Sequence, residues 1–147
     1  SAASDVYKRQ EMIRVAAGEP LSVKQEDIHL QGHAMECRIN AEDPAHHFRP
    51  CPGVIEEIHL PGGNGVRIDT AAYNGYEIPP FYDSMIAKVI VHGRTRQEAI
   101  DKMRSTLGEL IIDGVTTNVD FQYEILDNED FQAGEITTDF IPMHFNL

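Results

Sequence analysis

Nine residues from Ser84 to His92, SMIAKVIVH, carry a single full charge, on Lys88, and are rich in β-branched side chains. A run this short and this apolar reads as a strand near the centre of a sheet, and Gly93 closes it. Beyond Gly93 the period changes. Thr95-Arg96-Gln97-Glu98 has the spacing of a capping box, in which the threonine hydroxyl accepts from a free amide of the first turn. Ile100, Met103, Leu107 and Leu110 then recur at helical intervals, which predicts a helix from Arg96 to about Leu110. Upstream, Met35, Cys37 and Ile39 alternate with Glu36, Arg38 and Asn40, the pattern of a strand with one face buried. Val54–Leu60 and Val66–Asp69 read as two further strands, joined as a hairpin through Pro61-Gly62-Gly63-Asn64-Gly65.

Asp5 is placed to cap a helix over Val6–Ala17, with Ile13, Ala16 and Ala17 as its apolar stripe and Gly18 and Pro20 as its end. Asp113-Gly114 breaks the pattern after the long helix. Thr117 or Asn118 can cap another helix through Leu126, and residues 128–132 add a turn. Strands come first and helices come after them. That order predicts an α+β fold, an antiparallel sheet with helices packed on one side, rather than alternating βαβ units.

At 147 residues the chain supports one sizeable core. Twelve basic against twenty-four acidic residues leave a formal charge of -12, which repels a phosphate backbone and argues against nucleic acid as a partner. No apolar run reaches the length of a membrane span, so a membrane partner is not expected. Two cysteines, Cys37 and Cys51, suit a reducing compartment better than a disulfide framework, and with no leader-like start the expected location is the cytoplasm.

The candidate chemistry lies in two places. On the strand HAMECRINAEDP, Arg38 stands between Glu36 and Asn40 on the polar face. Charged strand residues are mostly solvated surface. A guanidinium on a rigid strand is also a fixed positive fork, suited to a carboxylate, bicarbonate or a developing enolate oxygen. The residues alone leave both readings open. In IPPFYDSM, residues 78–85, two prolines stiffen a loop that delivers Asp83 to the start of the apolar strand, where it can orient an arginine or simply cap the strand. The glycines at 62, 63 and 65 are a turn rather than a phosphate cradle, because no GK[ST] is present. His46-His47 has no third ligand at metal spacing, so no metal is assigned.

Five blocks taken together carry a resemblance: AAGEPL (16–21), GHAMECRINAEDP (32–44), PGG.GVR (61–67), YNGYEIPPFYDSMIAKVIVHG (73–93) and IIDGVTTNVDF (111–121). In this order and spacing they resemble the biotin carboxylase C-terminal domain over residues 11–147. Residues 1–10 match no part of it and are read as a non-native or disordered start. The resemblance implies an ATP-grasp ligase in which ATP activates bicarbonate to carboxyphosphate, and N1 of biotin on a carrier protein captures the carbon dioxide released. ATP, two Mg2+ ions and biotin are the implied cofactors and substrates. Biotin carboxyl carrier protein, carboxyltransferase subunits and a second copy in a homodimer are the implied partners.

By motif match, Arg38 contacts bicarbonate and stabilises the biotin enolate, Asp83 positions that arginine, and Arg67 is a subunit-contact residue. The family's E-M-N-x-R-x-Q-V-E-H segment and glycine-rich ATP lid are expected to precede this stretch, so the piece alone is expected to be inactive. The parent is expected to be the biotin carboxylase subunit of acetyl-CoA carboxylase, serving fatty acid synthesis. The alternatives are the same domain of a pyruvate or other acyl-CoA carboxylase, a non-catalytic dimerisation module, and an acidic binding module outside the family.

Overall fold

The computed structural model describes residues 2–145, with side chains from residue 7 onward. The chain divides into two compact units, Ser1–Gln31 and Gly32–Leu147. In the first, helix α1 (Ala2–Ala16) starts three residues before Asp5, so Asp5 is not its cap; the side chain of Asp5 lies outside the described residues. Glu11 ties the next segment back to the helix, accepting from the Ser22 amide at 3.1 Å and the Ser22 hydroxyl at 2.8 Å. Ile13, expected in a covered stripe, is exposed, as are Tyr7, Met12 and Val15.

The second unit runs β1 (His33–Asn40), β2 (Glu42–Asp43), β3 (Arg49–Pro50), β4 (Gly53–Val54), β5 (Glu57–His59), β6 (Val66–Thr70), β7 (Glu77–Ile78), β8 (Met85–Gly93), α2 (Arg96–Glu109), β9 (Ile111–Asp113), α3 (Val119–Asp127), α4 (Glu129–Ala133) and α5 (Phe140–His144). The main sheet is antiparallel with β8 between β1 and β6. A strand with neighbours on both edges has no edge to expose to water, which is why the most apolar segment lies there. Cys37, Ile39, Ala87, Val89 and Val91 of the sheet join Ala99, Met103 and Leu107 of α2 and Leu126 of α3 in one core. The architecture is α+β, with antiparallel sheets and helices.

Helix α2 begins where the capping box puts it. Thr95 Oγ1 accepts from the Glu98 amide at 3.2 Å, but the Glu98 carboxylate reaches past Thr95 to the Arg94 amide at 3.2 Å and Arg94 Nε at 3.0 Å. At the other side of the helix layer, Arg96 donates to the Phe131 and Gln132 carbonyls and stacks over the Phe131 ring, 5.1 Å from its centroid. That contact fixes α4 against α2.

The expected hairpin does not form. Residues 54–60 break into β4, which pairs with β7, and β5, which pairs with β9, while β6 joins β8. The switch occurs at Ile55, fully buried, whose amide donates to the Tyr76 carbonyl; the next amide, Glu56, donates to Asp113. A five-residue link imposes no tight-turn register, so long-range partners decide the pairing. Gly114 permits this crossing: its φ is +97° and a Cβ would lie 2.3 Å from the Val54 carbonyl oxygen.

Candidate functional site

The polar face of the main sheet is built by register. Arg38 of β1 lies directly opposite Lys88 of β8, which lies opposite Asp69 of β6; in the next row Glu36 faces Ile90, and Ile90 faces Arg67. Like charges directly across a ladder repel. Here the second cation, Lys88, has Asp69 on its far side, and Arg67 grips the same carboxylate through Nε at 2.7 Å and Nη2 at 2.5 Å. A chain of net charge -12 thus gathers Arg38, Lys88 and Arg67 on one face of one sheet.

Arg38 is exposed, and among the described residues no ion pair engages it. Its Nη2 lies 3.5 Å from Met85 Sδ, a weak acceptor that leaves the guanidinium's charge uncompensated. Asp83, read as a group that could orient this arginine, accepts instead from the Met85 amide at 3.0 Å, the strand-start cap. Its link to Arg38 therefore runs through Met85. Beside it, Glu42 accepts from Ser84 Oγ at 2.5 Å and from Asn40 Nδ2 at 3.3 Å. Phe81 and Tyr82, in the same loop, are exposed at 95% and 85%.

Directly behind this face lies Cys37, whose thiol is pushed up to about 12 by burial and, secondarily, by the Glu36 charge. It is a core group, not a nucleophile. Both cysteines are free thiols. His46 hydrogen-bonds Asp43 at 2.6 Å, and among the described residues no three His, Cys, Asp or Glu side chains converge to hold a metal ion. No described helix is long and apolar enough to cross a membrane.

The pairing on this face makes a pH prediction. Hydrogen bonding from Arg67, reinforced by its charge and by Lys88, holds the Asp69 carboxyl below the usual aspartate range. A carboxyl depressed in the folded state contributes stability above its unfolded value, and that contribution is lost as the pH falls through the folded one. Below about pH 4, the wild type is therefore expected to lose stability more steeply than Asp69→Asn, in thermal unfolding measured across pH. Parallel curves would mean that the pair contributes nothing.

The model of the biotin carboxylase C-terminal domain matches residues 36–143, the stretch that contains this face. The chain belongs to the biotin carboxylase C-terminal domain family. It is 53% identical over 138 residues to biotin carboxylase 1 of Bacillus subtilis, covering 94% of this chain and 30% of that one. It is 56% identical over 125 residues to the biotin carboxylase of Haemophilus influenzae, covering 85% and 28%. With a pyruvate carboxylase subunit of Methanothermobacter thermautotrophicus it shares 54% over 132 residues, covering 90% and 27%.

Among solved structures it superposes with TM-score 0.85 and 47% identity on the biotin carboxylase domain dimer of Hydrogenobacter thermophilus 2-oxoglutarate carboxylase, in complex with MgADP, ADP and bicarbonate. That match covers 90% of this chain and 29% of the other. This biotin carboxylase C-terminal domain thus spans under a third of the length of the relatives it matches.

Thr117 or Asn118 is expected to cap α3, and Asn118 takes that position. It stands before α3 as a cap, yet its side chain caps nothing there; buried to 5% exposure, it turns to β1. A polar residue between Thr117 and apolar Val119 offers no local sign of that partner.

Proposed function

We propose that this domain supplies the anion-stabilising arginine of a biotin carboxylase, which carboxylates carrier-bound biotin with ATP and bicarbonate. The observation that carries the reading is Arg38: an exposed guanidinium, not engaged by a carboxylate among the described residues, on a paired strand within the stretch that defines the family. Removing a proton from biotin puts negative charge on its ureido oxygen. A preorganised guanidinium offsets charge that develops only during reaction, and that is the kind of interaction that lowers a barrier. Before that step the same fork can bind bicarbonate, the anion present in the Hydrogenobacter complex.

Mg2+, when bound beside ATP, offsets phosphate charge during phosphoryl transfer. Among the described residues no three His, Cys, Asp or Glu side chains gather to hold an ion, and we place the Mg2+ ligands in the rest of the parent protein. We assign the parent to the acetyl-CoA carboxylase system of fatty acid synthesis, with biotin carboxyl carrier protein and carboxyltransferase subunits as partners, in the cytoplasm. The identities to proteins named biotin carboxylase support a biotin carboxylase parent, and the comparable identity to a pyruvate carboxylase subunit leaves the acyl acceptor to the test below. Arg67, on the edge strand β6, is proposed as a contact in a homodimer, and Asp83 as a residue that steadies the start of β8 beside Arg38. Residues 1–10 are proposed to be foreign to the domain.

The test is ATP cleavage dependent on both biotin and bicarbonate. The full-length parent is expected to show it, residues 1–147 alone are expected to show none, and carboxyl transfer with the carboxyltransferase subunits is expected to go to acetyl-CoA. Transfer to pyruvate would reassign the parent while leaving Arg38 its role. Failure of the full-length parent to carboxylate biotin with ATP and bicarbonate would remove the reading.

A further inference from the structure

Strand β1 is an edge strand, and its ladder with β8 slips between Ile39 and Asn40, one residue beyond Arg38. Edge strands fray where the ladder is irregular, because one side of the backbone has only water to bond. At this point a single residue stands in for the missing strand. Asn118 Nδ2 donates to the Arg38 carbonyl at 3.1 Å, and Asn118 Oδ1 accepts from the Asn40 amide at 2.9 Å. The Asn118 amide donates to the Asn40 carbonyl at 3.1 Å. One buried side chain thus brackets Ile39, itself fully buried, and holds the peptide groups on either side of it.

We infer that Asn118 is a positioning residue for Arg38. The inference rests on the role proposed above for Arg38 and deepens it. Nothing stronger than the Met85 thioether holds the guanidinium among the described residues, so the direction of the Arg38 side chain is set by its backbone. β8 holds one edge of that backbone and Asn118 holds the other. An aspartate here would keep the acceptor for the Asn40 amide and lose the donor to the Arg38 carbonyl. The clamp is therefore specific to an amide.

The test is a cycle of four full-length enzymes: unmutated, Arg38→Ala, Asn118→Ala and the double variant. For each, kcat and KM are measured for biotin and for ATP, and the melting temperature is measured alongside. Asn118→Ala is expected to lower kcat for biotin carboxylation on the order of 100-fold, the scale of a reacting group displaced by about 1 Å. KM for ATP is expected to stay unchanged, and in the Arg38→Ala background the same substitution is expected to cost nothing further. Asn118→Asp is expected to lose kcat in the same pattern; should Asn118→Ala fail to fold, it carries the test in its place.

Equal losses with and without Arg38 would make Asn118 merely structural and overturn the inference. So would full activity of Asn118→Asp. Full activity of Arg38→Ala would instead remove the role of Arg38 itself, a different failure.

Discussion

Arg38→Ala in the full-length enzyme is expected to lower biotin carboxylation by about 100-fold to 1,000-fold, the usual consequence of removing one preorganised donor to a developing oxyanion. Bicarbonate-dependent ATP cleavage is expected to survive in part, because the role proposed for Arg38 at the biotin enolate belongs to carboxylation rather than to phosphoryl transfer. The two activities are read in parallel, as carboxybiotin formed and phosphate released. Unchanged carboxylation would return Arg38 to an ordinary solvated strand arginine. The structure makes the substitution clean: the exposed side chain closes no ion pair among the described residues, so little folded stability goes with it.

Gly114→Ala is expected to destabilise the domain by about 2–5 kcal/mol, combining roughly 1–2 for the left-handed backbone with about 1–3 for overpacking. The added methyl would meet the Val54 carbonyl oxygen at 2.3 Å and the Glu56 amide at 2.8 Å, both backbone atoms that cannot swing aside. Gly108 provides the contrast. It lies within α2, its added Cβ would meet nothing within 4 Å, and its alanine variant is expected to be more stable by roughly 0.5–1 kcal/mol. Denaturant unfolding of both variants checks the signs. A neutral Gly114→Ala would mean that β5 and β9 can part without consequence.

What could be read from the amino acids was what neighbours in sequence decide. Residues 84–93 and the helix after Thr95 were legible because a run of apolar residues or a 3.6-residue period survives any tertiary context. The alternation around Arg38 was legible for the same reason, and the burial of Cys37 and Ile39 agrees with it. Pairing was not legible where several partners compete: residues 54–60 satisfy themselves with Tyr76 and Asp113, both distant in sequence. Asp83 shows the limit for sites. A carboxylate two residues before a strand amide finds that amide first, and only the fold shows that the arginine lies one side chain further on. Asn118 was invisible as a partner of Arg38 because a cap position explains an asparagine well enough locally.

The bonds from Asn118 to β1 join residues 78 and 80 apart in sequence. As the chain is synthesised, the strand that carries Arg38 can pair with β8 early but has no outer edge until the residues leading into α3 emerge. Non-local contacts of this kind form late and slow folding. The arginine is synthesised 80 residues before the asparagine that closes the outer edge of its strand, so until then that strand presents an open edge to any other chain nearby.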